Sequence, residues 1–409
     1  MLLRYPWVLA FATLACIPIR VPVDVGEEEA NLLLPLYGVV AAYALALGWQ
    51  LLRGDDRARE LGPMAWPLAA VVAWTGLALL WSDDLRQGSI FLTAFVLPFG
   101  LLALGFARLP FSRRLVLALY GALAATALAY AAVGLYQWVT RDVFWNPKLR
   151  VDNAYAPFFR VNSVFWDPSI YGRYLVVAIL ATLVLVLLGV RDRLLAAGIA
   201  VIAATWLGLL FSFSQSSFAA LIAGTIAVAA VIWRWRAAAA LAALAVVLVS
   251  VGFATPQVRH ELLDRSRAGL NTVTSDRAGL VGNGLRIAVD HPVVGVGTGS
   301  FKRAYAERTG LKGEEPKKAA SHSTPVTVIA EMGVPGLVLL CWLGLASLWP
   351  GFRARGTSTA GRVALAAALT LGAIAVHSLF YNAFFEDPTM WALLGLTAVA
   401  VASRAEESA

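Results

Sequence analysis

Long apolar runs recur along the whole chain and are separated by short polar segments. Eight runs without an acidic or basic residue have the length of a membrane-spanning helix: 30–52, 61–82, 87–107, 115–140, 174–190, 237–258, 332–352 and 363–385. Two shorter runs, 5–19 and 388–403, are flanked by arginines that can extend them, and the polar stretch Ser212–Ser217 divides the long run 194–233. Since about 20 apolar helical residues cross a bilayer core of about 30 Å, the pattern predicts an all-α polytopic membrane protein. The pattern predicts about 12 transmembrane helices in a single transmembrane domain, residues 1–409.

Composition supports this prediction and excludes a soluble globular enzyme. The 409 residues are 59% hydrophobic and only 14% charged, whereas a soluble chain carries about 25% charged residues. Cys16 and Cys341 both lie in apolar runs, which argues against a disulfide framework and a cysteine-based zinc site. The four histidines form no HxxxH or HExxH pattern, so the sequence predicts no metal site. The net charge of +8 does not indicate nucleic acid, because cytoplasmic loops of membrane proteins collect Lys and Arg.

The distribution of basic residues predicts the orientation of the chain. With both termini in the cytoplasm, the short inner segments hold fifteen Lys and Arg residues, and the short outer segments hold two, Arg20 and Arg86. Two long segments then lie outside, 139–170 and 255–323, the second between helices nine and ten and predicted to contain short helices. They carry four and eleven basic residues, for which topology gives no reason. These clusters favour either an anionic ligand such as a lipid phosphate or a solvated surface against acidic headgroups.

The first outer segment ends in a helix-start signal with an arginine on either side. Asp167 and the Pro-Ser that follows it predict the start of the sixth helix, with Asp or Ser as its N-cap. Arg173 then lies one turn into that helix, where it is either a membrane anchor or a substrate contact. Arg160 precedes the helix, and its planar guanidinium suits bidentate binding of phosphate.

The second outer segment contains a predicted short helix and a glycine-rich stretch. Apolar spacing predicts a helix over 278–289 that ends at His291-Pro292, with Arg277 in its first turn and Arg286, a further substrate-binding candidate, near its end. The stretch 295–299 (GVGTG) lacks the strand and spacing of a dinucleotide loop, and its glycines instead predict a tight turn near the membrane.

The tenth predicted helix carries two candidate functional residues. His322 stands at its water-exposed head, just before the helix start that Pro325 favours, as either a proton-exchanging group or an ordinary polar surface residue. Glu331 lies about two turns inside and has no nearby cation in the sequence, so it is either a functional or a structurally paired carboxylate.

Four stretches in this order resemble the O-antigen ligase and O-antigen polymerase superfamily of bacterial envelope glycosyltransferases. They run over 160–172 (R-x-N-S-x-F-x-D-P-x-x-x-G), 212–217 (S-x-S-Q-S-S), 277–301 and 322–336 (H-x(8)-E-x-G-x-x-G). The resemblance implies a glycosyltransferase-C type fold and metal- and cofactor-independent transfer of a glycan from an undecaprenyl-pyrophosphate carrier. The acceptor would be a glycan or lipid-glycan at the outer face of the inner (cytoplasmic) membrane.

The resemblance also implies roles for individual residues. Arg160 and Arg277 would hold the pyrophosphate, and His322 would be the general base for an inverting attack. Gln215 stands where the family commonly has arginine, and Ser323 where it commonly has asparagine; both departures concern contacts with the acceptor or the lipid.

Other functions remain open at the level of sequence. A polysaccharide polymerase or a protein O-oligosaccharyltransferase of the same superfamily differs from a ligase only in its acceptor. A transporter or flippase is an alternative of another class, although it favours charges and broken helices at the bilayer midplane. Here the charges cluster in the outer segments instead. A non-catalytic envelope scaffold is a third class.

Overall fold

The computed structural model describes residues 2, 4–25, 28–54, 61–155, 158–187, 192–254, 277–310, 321–354, 356 and 358–408. Within them the chain is almost entirely helical, apart from strands β1 (Val21–Val25) and β2 (Glu28–Leu32). The α-helices are α1 (Val8–Cys16), α2 (Leu34–Leu52), α3 (Ala65–Leu77), α4 (Leu85–Ile90), α5 (Leu97–Ala107), α6 (Arg113–Thr140), α7 (Pro147–Tyr155), α8 (Pro168–Leu187), α9 (Asp192–Ser212), α10 (Gln215–Ala254), α11 (Arg277–Asp290), α12 (Phe301–Thr309), α13 (Thr324–Arg353), α14 (Thr359–His377) and α15 (Pro388–Ser408). A 3₁₀ turn, Gly62–Met64, leads into α3, another, Ala78–Trp81, follows it, and a π-helical segment, Phe91–Val96, joins α4 to α5.

Nine stretches of the described residues are long and apolar enough to cross a membrane. They are Leu34–Leu52, Gly62–Trp81, Leu85–Ala107, Arg113–Thr140, Pro168–Leu187, Leu194–Ser212, Gln215–Trp233, Thr324–Arg353 and Thr359–His377. The predicted all-α polytopic membrane fold is therefore confirmed, and the count of twelve spans stays a prediction. Helix α15 matches the predicted last run but is not among these nine.

Two spans predicted on either side of Arg234 and Arg236 form one continuous helix, so the break predicted there is wrong. Helix α10 runs for 40 residues, which at 1.5 Å per residue is about 60 Å, twice the thickness of a bilayer core. The sequence around the two arginines contains no Pro or Gly, and alanine and arginine are good helix formers. The two arginines therefore end the hydrophobic run but do not end the helix.

The N-terminal region also differs from the prediction of a full first span with a loop behind it. Helix α1 has only nine residues, and the chain then forms an antiparallel hairpin in which Val21 pairs with Leu32 and Val25 with Glu28. Valine at alternate positions of β1 favours extended backbone. The chain after Arg20, predicted as a short outer segment, therefore contains two strands.

The helix predicted over 363–385 is shorter than its hydrophobic run. Helix α14 ends at His377, and a turn over 378–387 leads to α15. The Oδ1 atom of Asp387 accepts a hydrogen bond from the backbone N–H of Thr389 at 2.9 Å, and Trp391 Nε1 donates to the carbonyl of Phe385 at 2.8 Å. These bonds satisfy polar groups of the turn. The aromatic residues that follow His377 therefore lie in a hydrogen-bonded turn instead of a longer helix.

Several predicted helix boundaries are confirmed. Helix α8 begins at Pro168, α11 runs from Arg277 to the predicted stop before Pro292, and α13 begins at Thr324. The predicted turn between α9 and α10 also forms, with Phe213 in the left-handed region at φ +48°.

Helix α8 lies at the centre of the molecule. All residues from 171 to 180 are buried, and α8 packs against α9, α10 and α14. The N-terminus of α8 therefore meets the end of α9, the start of α10, the end of α14 and the start of α15. The polar groups discussed below gather at this end of the bundle.

Candidate active site

Arg160 is held at the turn between α9 and α10 by contacts from two directions. Its backbone N–H donates to Asn153 Oδ1 at 2.9 Å, and Asn153 Nδ2 donates back to the Arg160 carbonyl at 2.9 Å. Its side-chain Nε donates to the Ser212 carbonyl at 3.3 Å. The side chain is half-buried. Helix α7 thus fixes the backbone of Arg160, and the end of α9 fixes its guanidinium.

Arg277 brings a second guanidinium to the same place. It is half-buried at the N-terminus of α11, and its pKa is lowered first by burial and then by the charge of Arg160, with Asp167 acting in the opposite direction. Asp167 also caps α8, since its Oδ1 atom accepts from the backbone N–H of Ser169 at 2.6 Å. Two neighbouring arginines repel each other, and a bound anion would relieve that repulsion.

His322 lies beside this arginine pair in a strained backbone conformation. Its φ is +53°, in the left-handed region that costs a non-glycine residue about 1–2 kcal/mol. Ser321 stabilises the turn, because its Oγ donates to the Ser323 carbonyl at 2.8 Å and accepts from the Ser323 N–H at 3.1 Å. The strained backbone places the imidazole at the head of α13, where it is half-buried.

The electrostatic surroundings of His322 keep its imidazole neutral. Burial lowers its pKa most, the charges of Arg277 and Lys148 lower it further, and Asp167 raises it. An imidazole with a pKa below its usual value is deprotonated at neutral pH and can accept a proton. The structure therefore brings Arg160, Arg277 and His322 together, although they are far apart in the sequence.

Arg173 is not at the membrane surface, so the prediction of a membrane anchor is wrong. Its Nε lies 2.8 Å from Asp387 Oδ2, and the ring of Tyr381 lies 5.9 Å from its guanidinium carbon. The alternative prediction, a substrate contact, stays a prediction. The reason for the error is that the arginine points toward α15 and away from the lipid.

A group of polar residues that sequence reasoning missed lies near Arg173. His377, which the sequence places only among aromatic residues, is fully buried, and its Nε2 lies 3.0 Å from Ser216 Oγ. Its ring is 5.5 Å from that of Tyr381. The Asp-Pro sequence at 387–388 signals a helix start, but nothing in the sequence indicates that its carboxylate meets Arg173.

Two further candidates are exposed residues of α10 and α11. Gln215 is the exposed first residue of α10, next to the buried serines of the turn. Arg286 is exposed on α11, more than two turns beyond Arg277. Their roles as substrate contacts stay predictions.

Glu331 is a structural partner of the glycine-rich stretch. The buried Oε1 of Glu331 accepts from the backbone N–H of Phe301 at 3.1 Å, at the start of α12. The Val296 and Gly297 N–H groups donate to the carbonyls of Ala330 and Glu331, each at 2.9 Å. The hydrogen bond from Phe301 thus compensates for the burial of the Glu331 carboxyl group, as a buried polar group requires. Of the two alternatives for Glu331, the structure favours the structural one.

The glycines of this stretch form the predicted tight turn. Residues 295, 297 and 299 have φ values of +69°, +91° and +86°. A Cβ at any of them would overlap backbone atoms of a neighbouring segment: Glu331 for Gly295, Ser82 for Gly297 and Gly88 for Gly299. Glycine is therefore required both for the conformation and for the close approach of the chains. In the described part of the chain, no three His, Cys, Asp or Glu residues cluster as a metal site would require.

The fold and this site define a polytopic membrane protein with a cationic, histidine-containing site at one end of its helices. Residues 199–341, about a third of the chain, match the family model described as O-antigen ligase. The match includes Gln215, Arg277, His322 and Glu331, whereas Arg160 precedes it. The resemblance inferred from the sequence patterns is confirmed by this match. No curated protein matches the chain.

Proposed function

We propose that this protein is a glycosyltransferase that moves a glycan from an undecaprenyl-pyrophosphate carrier to an acceptor hydroxyl, as an O-antigen ligase does. The observation that carries the proposal is the arrangement of His322 beside two half-buried arginines, Arg160 and Arg277. The match to the O-antigen ligase family over 199–341 supports the same reaction class. Together they give a reason for two of the fifteen basic residues of the outer segments, Arg160 and Arg277, which topology does not explain.

The arginines suit the departing pyrophosphate. A sugar bonded through its anomeric carbon to a diphosphate is already activated, and the leaving group needs its charge neutralised more than it needs a proton. Arg160 and Arg277 offer planar donors that stay charged and bind phosphate oxygens in a bidentate manner. Charge stabilisation of this kind is a large contribution to catalysis when the donors are fixed in advance. The contacts of Arg160 with Asn153 and Ser212 provide that fixation.

His322 suits the other half of the reaction. The oxygen of the acceptor hydroxyl forms a bond to the anomeric carbon, and the bond from that carbon to the pyrophosphate oxygen breaks. The acceptor proton moves to the imidazole, and the electron pair of the broken bond leaves with the carrier diphosphate. Attack from the face opposite the leaving group inverts the anomeric carbon.

We place this site at the outer face of the cytoplasmic membrane, with both termini inside. The excess of Lys and Arg in the predicted inner segments supports this orientation. Reporter fusions test it. Fusions after Arg114 and Arg193 should report cytoplasm, and fusions at Asp142 and Gly310 should report the outer side. The opposite signals would place the site on the side without carrier-linked glycan.

The direct test is reconstitution of the purified protein with a carrier-linked glycan. Three acceptors are supplied in parallel: a lipid-linked core glycan, a second molecule of carrier-linked glycan, and a peptide containing serine. We expect product with the core glycan, which defines a ligase. Product only with the second carrier-linked glycan would define a polymerase. Product only with the peptide would define a protein glycosyltransferase. Movement of intact carrier-linked glycan across vesicles without any product would instead define a flippase.

A further inference from the structure

A cavity of about 220 Å³ lies next to His322 and is separate from the arginine pair. Its walls come from α4 with its π-helical extension, Gly299 with the start of α12, the start of α13 and the turn 378–387. Ser321 and Thr324, on either side of His322, contribute to these walls. Arg160 and Arg277 do not line it. His322 is therefore close to both the arginine pair and this cavity.

The size of the cavity suits one small ring. Pockets that enclose drug-sized ligands have volumes of roughly 300–1,000 Å³, and this cavity is smaller. It is also much larger than the roughly 30 Å³ share of one liquid water. A single monosaccharide unit fits this size, whereas an oligosaccharide or the diphosphate with its lipid does not.

The lining of the cavity suits a neutral ligand rich in hydroxyl groups. Aromatic rings form part of the wall, and such rings pack on the apolar face of a sugar; they belong to Phe91, Phe95, Phe384 and Phe385. Polar side chains also contribute to the wall, among them those of Gln87, Lys302, Asn382 and Glu386. The carboxyl groups of Glu331 and Glu386 also line the cavity, and their oxygens can form hydrogen bonds with the hydroxyls of a sugar.

One buried hydroxyl gives independent evidence for a ligand. Thr324 is only 2% exposed, and its Oγ1 has no hydrogen-bond partner among the described residues. A buried polar group without a partner is costly, so its persistence requires an explanation. Thr324 lines the cavity, and a ligand hydroxyl there can supply the missing bond.

We propose that this cavity binds the acceptor sugar of the transfer reaction, with the attacking hydroxyl directed past Ser321 toward His322. The inference rests on the proposed function, since it names the acceptor subsite of that reaction. The two regions differ in their charged groups: the arginine pair offers two cations to the diphosphate of the donor, whereas the cavity wall combines one lysine with two carboxyl groups and suits the neutral sugar of the acceptor.

The first test measures sugar binding without catalysis. Saturation-transfer NMR on the full-length protein in nanodiscs uses methyl glycosides of a hexose, a heptose and an N-acetylhexosamine as probes. Thr324→Val removes the unpaired hydroxyl at nearly constant shape, and we expect it to weaken binding of the best probe by about 2- to 10-fold. Asn382 is a half-buried residue of the cavity wall, and the large side chain of Asn382→Trp should fill the cavity and abolish binding. The matched control is Thr397→Val, which lies on α15 and whose hydroxyl bonds to its own helix at Leu393.

The second test separates the two substrates in the transfer reaction. Thr324→Val should raise the KM for the acceptor by a similar factor and leave the KM for the carrier-linked donor unchanged. Asn382→Ala gives a second, less bulky variant with the same expected direction. A rise in the donor KM alone, or unchanged probe binding in both Thr324→Val and Asn382→Trp, would overturn the assignment of the cavity.

The outcomes distinguish this inference from the proposed function. If glycosides bind and the variants weaken that binding while no acceptor supports transfer, the sugar site stands and the transferase function fails. If the wild type transfers glycan while the variants leave both glycoside binding and acceptor KM unchanged, the function stands and the sugar site is wrong.

Discussion

The Nε atom of Arg173, on α8, lies 2.8 Å from the Oδ2 atom of Asp387 in the turn before α15, and both side chains are only 4% exposed. The pair joins the centre of the bundle to its last helix. A buried ion pair is not necessarily more stable than an apolar pair of the same size, but removal of one partner leaves an uncompensated charge. The two residues therefore stabilise the fold only as a pair.

Asp387→Asn is the first prediction that follows. Asparagine keeps the size and can still cap α15, yet it leaves Arg173 without its counter-charge. We expect the free energy of unfolding to fall by about 3–5 kcal/mol, measured as thermal unfolding in detergent micelles. The double variant Arg173→Met with Asp387→Asn removes both charges and should recover much of that loss. A single variant as stable as the wild type would show that the pair does not contribute.

Gly299→Ala is expected to prevent folding of the turn that supports α12 and α13. Gly299 and Gly310 both have positive φ, +86° and +69°, so alanine costs about 1–2 kcal/mol at either position. At Gly299 the added Cβ would also overlap the backbone of Gly88, whereas at Gly310 it meets nothing within 4 Å. Gly310→Ala is thus the matched control. We expect near-normal yield of folded protein for Gly310→Ala and little for Gly299→Ala, measured by size-exclusion chromatography.

Equal yields of the two alanine variants would contradict the close packing at Gly299. The comparison isolates packing from backbone preference, because both glycines have left-handed backbone and only one of them is crowded.

Local features of this fold could be predicted from the sequence because their causes are local. The start of α8 follows from Asp167 before a proline, and the start of α13 from Pro325, since caps and prolines act over a few residues. The division between α9 and α10 follows from a short run of serines. The hydropathy of each span likewise depends only on its own 20 or so residues.

The missed features depend on contacts between distant parts of the chain. Ser216 and His377 are 161 residues apart, and no spacing pattern indicates that they meet. The sequence shows that Arg173 is near the start of a helix, which suggests a membrane anchor or a substrate contact. It does not show the ion pair with Asp387, because that residue is far away in the sequence. The meeting of Arg160, Arg277 and His322 was expected from the family resemblance alone. The walls of the cavity beside His322 come from four separate regions of the chain, so no local sequence pattern predicts it.

Replacement of either site arginine by lysine should impair transfer although the charge is kept. Lysine cannot present the planar pair of donors that binds a phosphate edge. For each of Arg160→Lys and Arg277→Lys we expect a loss of about 2–4 kcal/mol of transition-state stabilisation, measured as kcat/KM for the carrier-linked donor. Arg303→Lys, on the exposed face of α12, is the control and should transfer normally. A near-normal rate in either site variant at normal expression would rule out diphosphate binding by that arginine.

The pH dependence of transfer tests His322 as the general base. Burial and the nearby cations lower its pKa below its ordinary value of about 6.5, and only the neutral imidazole accepts a proton. The value of kcat/KM should therefore rise with pH through this lowered pKa and become constant above it, so that the acid limb lies below about pH 6.5. His322→Gln should lose about 10²–10⁴-fold in rate and should also lose this limb.

Two neighbouring charges should move the acid limb in opposite directions. Lys148 lowers the pKa of His322 and Asp167 raises it. Lys148→Gln, at an exposed position of α7, should therefore move the limb to higher pH, and Asp167→Asn should move it to lower pH, because the first removes a repulsive cation and the second removes an attractive anion. Both shifts should shrink at high salt, which screens exposed charges such as Lys148 more strongly than buried ones. A limb that stays at the same pH in both variants would show that a different group titrates, and the base would then have to be sought elsewhere in the site.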